Sequence, residues 1–160
     1  MNYSEQKNLF EKDGFQGFVT VENLMANPSL APSSKGVYVI LRNSKNKPEF
    51  LETGTGGFYK NENPNVSIAE LKDNWVENSP IMYIGKATAL KSRLGQYMKF
   101  GQGKKVGHRG GRYIWQLKDS KQLIVCWKPT IDDHREVEKK MIEHFKSEHG
   151  NMRPFANLQD

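Results

Sequence analysis

Two runs decide how this chain folds: Gly36-Val37-Tyr38-Val39-Ile40-Leu41 and Ile81-Met82-Tyr83-Ile84-Gly85. The first is β-branched and aromatic, the second short, apolar and stopped by glycine, so each reads as a strand. Working outward from the second run, residues 89–100 space their apolar side chains helically. Leu90, Leu94, Tyr97 and Met98 share one face, with Arg93 on its rim one turn before Tyr97. A third strand is expected over residues 122–127, ended by Lys128-Pro129. A last helix starts at Asp132 or Asp133, either of which can cap it, with Glu136 three residues after Asp133. It runs through Phe145 and breaks by Gly150.

The order strand, insertion, strand, helix, basic loop, strand, helix suits an α/β (α+β) domain. Its core would be a small antiparallel or mixed three-stranded sheet flanked by helices. Residues 1–35 hold two weakly amphipathic stretches and a Pro-rich breaker, and read as an N-terminal helical arm. Residues 36–160 form the domain proper, with an insertion at about 43–80. Within the insertion, residues 49–53 are a candidate returning strand and residues 67–76 a candidate helix.

At 160 residues, the length fits one domain with a single core. The net charge is +6, which favours a polyanionic partner. Nine cations from Lys86 to Lys118 crowd one stretch whose single acid is Asp119 at its end. In Lys104-Lys105-Val106-Gly107-His108-Arg109-Gly110-Gly111-Arg112-Tyr113 they interleave with glycines and aromatics. Such a loop is either a solvated basic surface or a place where amides and cations meet phosphates. The only cysteine, Cys126, lies in an apolar run, so disulfide scaffolding and a cysteine-rich zinc site are excluded. The N-terminus lacks a cationic start followed by an apolar core, and a cytoplasmic protein with no membrane partner is expected.

Several side chains invite chemistry. On the last helix Glu138 falls inside the apolar face of Val137, Met141, Ile142 and Phe145, where a carboxylate needs a salt bridge or a divalent metal. His134, one turn earlier, could form an i, i+4 pair with it or simply a local hydrogen bond. Arg93 could snorkel beside a core tyrosine, or offer two parallel donors to a phosphodiester. Tyr38 and Tyr83 are either core aromatics or phenols whose proton can be moved once Lys86, Arg93 and a metal favour the phenolate. Gly36 and Gly85 would leave room for a phosphate or backbone to approach. Gly85-Lys86 does not make a nucleotide-binding loop, because Pro80 stands where the first glycine would be required.

Tyr38, Tyr83, Arg93, Tyr97, Glu138 and Asn157, in that order and context, resemble the GIY-YIG nuclease family. The resemblance spans Gly36 to Asn157, and the spacing from Glu138 to Asn157 is closer to short restriction-type members than to repair-type ones. It implies a metal-dependent DNA endonuclease. Tyr38 would be the general base, Tyr83 its support, and Arg93 with Tyr97 the grip on the scissile phosphate. Glu138 would bind one Mg²⁺ or Mn²⁺, and Asn157 would anchor the surrounding network. Gly85, Lys86, Lys104, Lys105, His108, Arg109 and Arg112 would contact phosphate or DNA. Duplex DNA is the implied partner, with a homodimer where both strands are cut. The alternative is a nucleic-acid-binding module that keeps the fold without turnover.

Overall fold

The two deciding runs pair with each other antiparallel, Tyr38 opposite Gly85. The computed structural model describes residues 1–159. In chain order the elements are α1 (Tyr3–Lys12), β1 (Gln16–Thr20), α2 (Val21–Ala26), β2 (Gly36–Leu41), α3 (Ile68–Asn74), β3 (Ile81–Ala87), α4 (Leu90–Gly101), β4 (Ile124–Pro129) and α5 (His134–Glu148). Short 3-10 turns occupy Pro28–Leu30, Arg112–Gln116 and Ser120–Gln122.

The sheet has four strands in the order β1-β4-β2-β3, all antiparallel, where the sequence led to three. The extra strand, β1, lies within the stretch read as a helical arm. Its alternation is broken by a bulge between Gly17 and Val19, with Gly17 and Phe18 at φ +94° and +56°. Gly17 is required there, because a Cβ would come 2.6 Å from the Trp127 ring. β4 starts two residues later than expected, since Ser120–Gln122 winds into a 3-10 turn. Residues 49–53 make no strand; Phe50 forms a single bridge to Leu117.

Helices cover both faces of the sheet. Tyr38, Ile40, Met82 and Tyr83 pack toward α2 and α4, while Val37, Val39, Leu41 and Ile84 pack toward α1 and α5. Met82 and Tyr83 are adjacent yet share a face because the register slips. Ile40 opposes Tyr83 but Leu41 opposes Ile81, leaving Met82 as the extra residue. α4 begins without a side-chain cap at Ala89. Its first amides are met instead by loop carbonyls, Leu90 N to Ser34 O at 2.9 Å and Lys91 N to Pro32 O at 2.8 Å. α5 is capped by Asp133, whose carboxylate accepts from Arg135 N at 2.9 Å.

β3 is an edge strand, and the C-terminal segment closes it. Ala156 N donates to Met82 O at 2.8 Å. The Asn157 amide accepts from Ile84 N at 3.0 Å and donates to Ile84 O at 2.9 Å, as a neighbouring strand would. Among the described residues no helix is long and apolar enough to cross a membrane.

Candidate active site

Where β3 ends, α4 begins and α5 crosses beside them, a cleft of about 730 Å³ opens. Tyr38, Tyr83, Lys86, Arg93, Glu138 and Asn157 line it, together with Arg109, Arg112 and His134. Residues scattered from position 38 to position 157 thus meet in one concavity.

The cross-strand pair Tyr38–Gly85 builds the floor. A Cβ at position 85 would lie 2.3 Å from Tyr38 Cζ, so glycine is there to let the phenol lie across β3. At Gly36 a Cβ would meet Lys128 O at 2.2 Å. Of the two expectations for these glycines, close approach of backbone is what Gly36 shows, while Gly85 makes room for the Tyr38 side chain.

Beneath the floor lies an aromatic cluster. Tyr83 and Tyr97 meet edge to face at 5.6 Å, and Tyr38 stands 6.0 Å from Tyr83 and 6.3 Å from Tyr97. Tyr97, expected to share the grip on phosphate, is buried below the cleft and donates to Gly111 O at 2.6 Å. Gly111, at φ +76°, allows that approach, since a Cβ there would sit 2.5 Å from the Tyr97 hydroxyl. His108 stacks on Tyr97 at 4.1 Å and 2°, with Nε2 3.2 Å from the Tyr38 hydroxyl. It was expected on the DNA-facing loop surface, but it is fully buried. Nothing in a glycine-rich basic loop marks one histidine as inward-facing, so its partnership with Tyr38 had no signature in the sequence.

Burial sets the protonation states. It raises the Tyr38 and Tyr97 phenols well above their ordinary range, and Tyr83 to about 12. Arg93 pulls all three the other way, but burial wins. Tyr38 is thus a neutral phenol at neutral pH rather than a resting phenolate. Burial, and then the Arg93 charge, lowers His108 to about 3, so its imidazole is neutral.

That shift makes a stability prediction. With the folded pKa of about 3 below the ordinary 6.5, the unfolded chain binds the extra proton. The contribution of His108 is complete above pH 6.5 and falls as pH drops toward 3. A single such group gives a slope of at most about 1.4 kcal/mol per pH unit. His108→Gln should flatten the urea-unfolding stability of the protein between pH 6 and pH 4; a slope as steep as that of wild type would put the acid sensitivity elsewhere.

Arg93 stands at the mouth. Its Nη1 donates to Gly107 O at 3.3 Å and to Gln96 Oε1 at 3.2 Å, both exposed contacts that a ligand can displace. Glu138, 12% exposed, forms an ion pair with Lys86 at 3.0 Å. Of the two ways to keep a carboxylate on that helix face, the structure shows the salt bridge. His134 Nδ1 is buried with no hydrogen-bond partner and stands 4.0 Å from Asp133 Oδ1. Arg109 pairs with Glu62 at 3.0 Å, and Arg112 donates to Arg109 O at 3.4 Å. Lys104 and Lys105 are exposed and lie outside the cleft lining.

Among the described residues no three His, Cys, Asp or Glu side chains are grouped so that they could hold a metal ion together. A zinc-type cage is therefore lacking among them. The donor set fits a hard cation, which binds through one or two carboxylates and fills its shell with water and phosphate oxygens. No family model matches the chain, and neither a curated protein nor a solved structure matches it.

Proposed function

We propose that this protein is a metal-dependent DNA endonuclease of the GIY-YIG type that hydrolyses phosphodiester bonds. The observation that carries the reading is the convergence of Tyr38, Tyr83, Lys86, Arg93, Glu138 and Asn157 on one cleft. Arg93, Arg109 and Arg112 line the same cleft, and the Arg93 guanidinium, held only by exposed contacts, can present paired donors to nonbridging phosphate oxygens.

A neutral Tyr38 cannot act as a standing base, but it can orient the attacking water. In the tautomer with hydrogen on Nδ1, His108 Nε2 accepts from the Tyr38 hydroxyl across 3.2 Å and steadies the phenol. Held at about 3, the imidazole is too weak a base to keep a proton. As water attacks phosphorus, it donates a hydrogen bond to the Tyr38 oxygen and its proton leaves to solvent. The P–O bond to the leaving oxygen breaks, that oxygen taking a proton from solvent. Arg93 donates to the charge that builds on the phosphate. Tyr97 holds the His108 ring by stacking, a supporting role rather than a grip. Glu138 would hold the Mg²⁺ or Mn²⁺ ion, and His134 lines the same cleft. When bound, that ion neutralises charge on the phosphate and the leaving oxygen.

Purified protein incubated with plasmid DNA and Mg²⁺ or Mn²⁺, with end mapping of the products, tests the reading. Intact plasmid with both metals would overturn it. The Lys86–Glu138 ion pair favours a second reading, because the carboxylate already has a counter-ion: a module that binds DNA without cutting. Retarded but uncut DNA in a gel-shift assay would select it.

This role of Tyr38 makes its own prediction. Tyr38→Phe keeps the ring over Gly85 and deletes only the hydroxyl, whose buried hydrogen bond contributes about 1 kcal/mol. It should melt within a few degrees of wild type and cleave at about 1% of its rate or less, within the general acid–base range. Normal cleavage by Tyr38→Phe would return Tyr38 to the core.

A further inference from the structure

The insertion between β2 and β3 is bolted to the end of α4 and to the 3-10 turn at Arg112–Gln116. Gly57 N donates to Phe100 O at 2.9 Å, and Thr55 N to Trp115 O at 3.1 Å. A Cβ at Gly57 would lie 2.1 Å from Lys104 O, so the insertion runs directly against the basic loop. Gln116 anchors it from within: its amide donates to Leu51 O and Val66 O, and its oxygen accepts from Val66 N, each at 2.9 Å. The tip is a tight turn in which Glu62 N donates to Tyr59 O at 3.0 Å. Its two central residues, Lys60 and Asn61, have φ of +52° and +61°, the pairing of positive values that a type I′ hairpin needs. Arg109 ties this tip to the cleft, because the guanidinium that binds Glu62 and Asn63 O also lines the cleft.

On this rigid tip Phe58 is 47% exposed, the only aromatic among the exposed large hydrophobic residues described. Tyr59 beside it packs on Gly107, and Lys60 stands 5.4 Å from the Tyr59 ring. Lys60 and Arg109 stand at the tip, the exposed Lys104 and Lys105 follow on the basic loop whose Lys104 O lies against Gly57, and the one acid on the turn, Glu62, is paired with Arg109. An apolar ring held out on a braced turn among cations has no fold to stabilise. It suits a base whose stacking neighbour is missing, with the cations meeting the backbone on either side.

We propose that the 58–63 hairpin is a stacking wedge that takes an unpaired base near the scissile bond, making DNA with an unpaired or displaced nucleotide the favoured substrate class. The inference rests on the nuclease reading and adds its specificity. Phe58 supplies the stacking face, Lys60 and Lys104 contact the flanking phosphates, and Arg109 fixes the distance between wedge and cleft.

The test uses the whole protein and two synthetic duplexes of one sequence, one intact and one carrying a single bulged 2-aminopurine. Wild type should bind the bulged duplex more tightly and change its 2-aminopurine fluorescence. Phe58→Ala should lose about 5- to 100-fold of that preference, the range for removing one aromatic stacking partner. Phe58→Trp should restore both the preference and the fluorescence change. Replacing Lys104 and Lys105 together by Ala should weaken both duplexes alike and flatten the log–log salt dependence by about two counter-ions. A wild-type preference for the intact duplex, or an unaltered preference in Phe58→Ala, overturns the wedge while plasmid cleavage leaves the nuclease reading in place. Wild type that binds neither duplex and leaves plasmid intact removes both.

Discussion

Glu138→Ala is expected to bind DNA at least as tightly as wild type and to cut it at least about 10³-fold more slowly. That magnitude corresponds to several kcal/mol of transition-state stabilisation. Among the described residues the carboxylate is the only acidic side chain lining the cleft, so its removal takes away a charge that repels phosphate and frees Lys86 to meet it. Binding and cleavage should therefore move in opposite directions, an outcome that unfolding cannot imitate. The fold should tolerate the change, because Lys86 is exposed and such pairs contribute at most about 1 kcal/mol. Titrating Mg²⁺ or Mn²⁺ against cleavage by wild type and by Glu138→Ala is the measurement. Undiminished cutting by the variant, or by wild type in EDTA, would reduce Glu138 to a counter-ion for Lys86.

Arg93→Ala should lose cleavage by about 10²- to 10³-fold, far beyond any loss of binding, as when a single preorganised donor is removed from a developing charge. Arg109 and Arg112 remain in the cleft to hold the backbone, so the deficit should appear in kcat rather than KM. The same substitution has a second, separable effect. Arg93 helps to hold His108 at its lowered pKa, so the imidazole of Arg93→Ala should titrate higher than in wild type, a shift visible by NMR. Arg93→Lys restores the charge but not the fork, and should fall between the two. Equal losses in binding and cleavage would make Arg93 a general phosphate contact.

The parts legible in the sequence are those governed by local pattern. β2 and β3 announce themselves as short apolar runs with β-branched and aromatic residues, α4 and α5 by an apolar face that repeats with the helical period, and Glu138 could be placed on its helix face by the latter rule. β1 could not, because Gly17 and Phe18 at positive φ break the alternation that marks a strand. Periodicity also placed Tyr97 one turn from Arg93 but could not show that its hydroxyl turns inward to Gly111 O. The purpose of Gly85 depends on its cross-strand partner, and pairing is a long-range property. His108 is the extreme case, since its burial follows only from how the loop crosses α4. Asn157 was read from the resemblance as part of the chemistry; both ends of its amide are engaged by Ile84, so loss of activity on replacing it would not by itself show a catalytic role.

The place of β1 governs how the molecule can be made. Its only neighbour in the sheet is β4, and Thr20 pairs with Ile124. A chain leaving the ribosome therefore carries its first strand unpartnered while roughly a hundred more residues are added, a delay of about 5–20 s at ordinary translation rates. β2 is in the same position on one side, because it lies between β3 and β4 and gains the second only then. Such non-local closure slows folding and leaves apolar residues such as Phe15, Val21 and Val37 uncovered in the interval. The sheet is assembled from its ends inward in time, with β4 the last strand to enter and the one that joins β1 to β2.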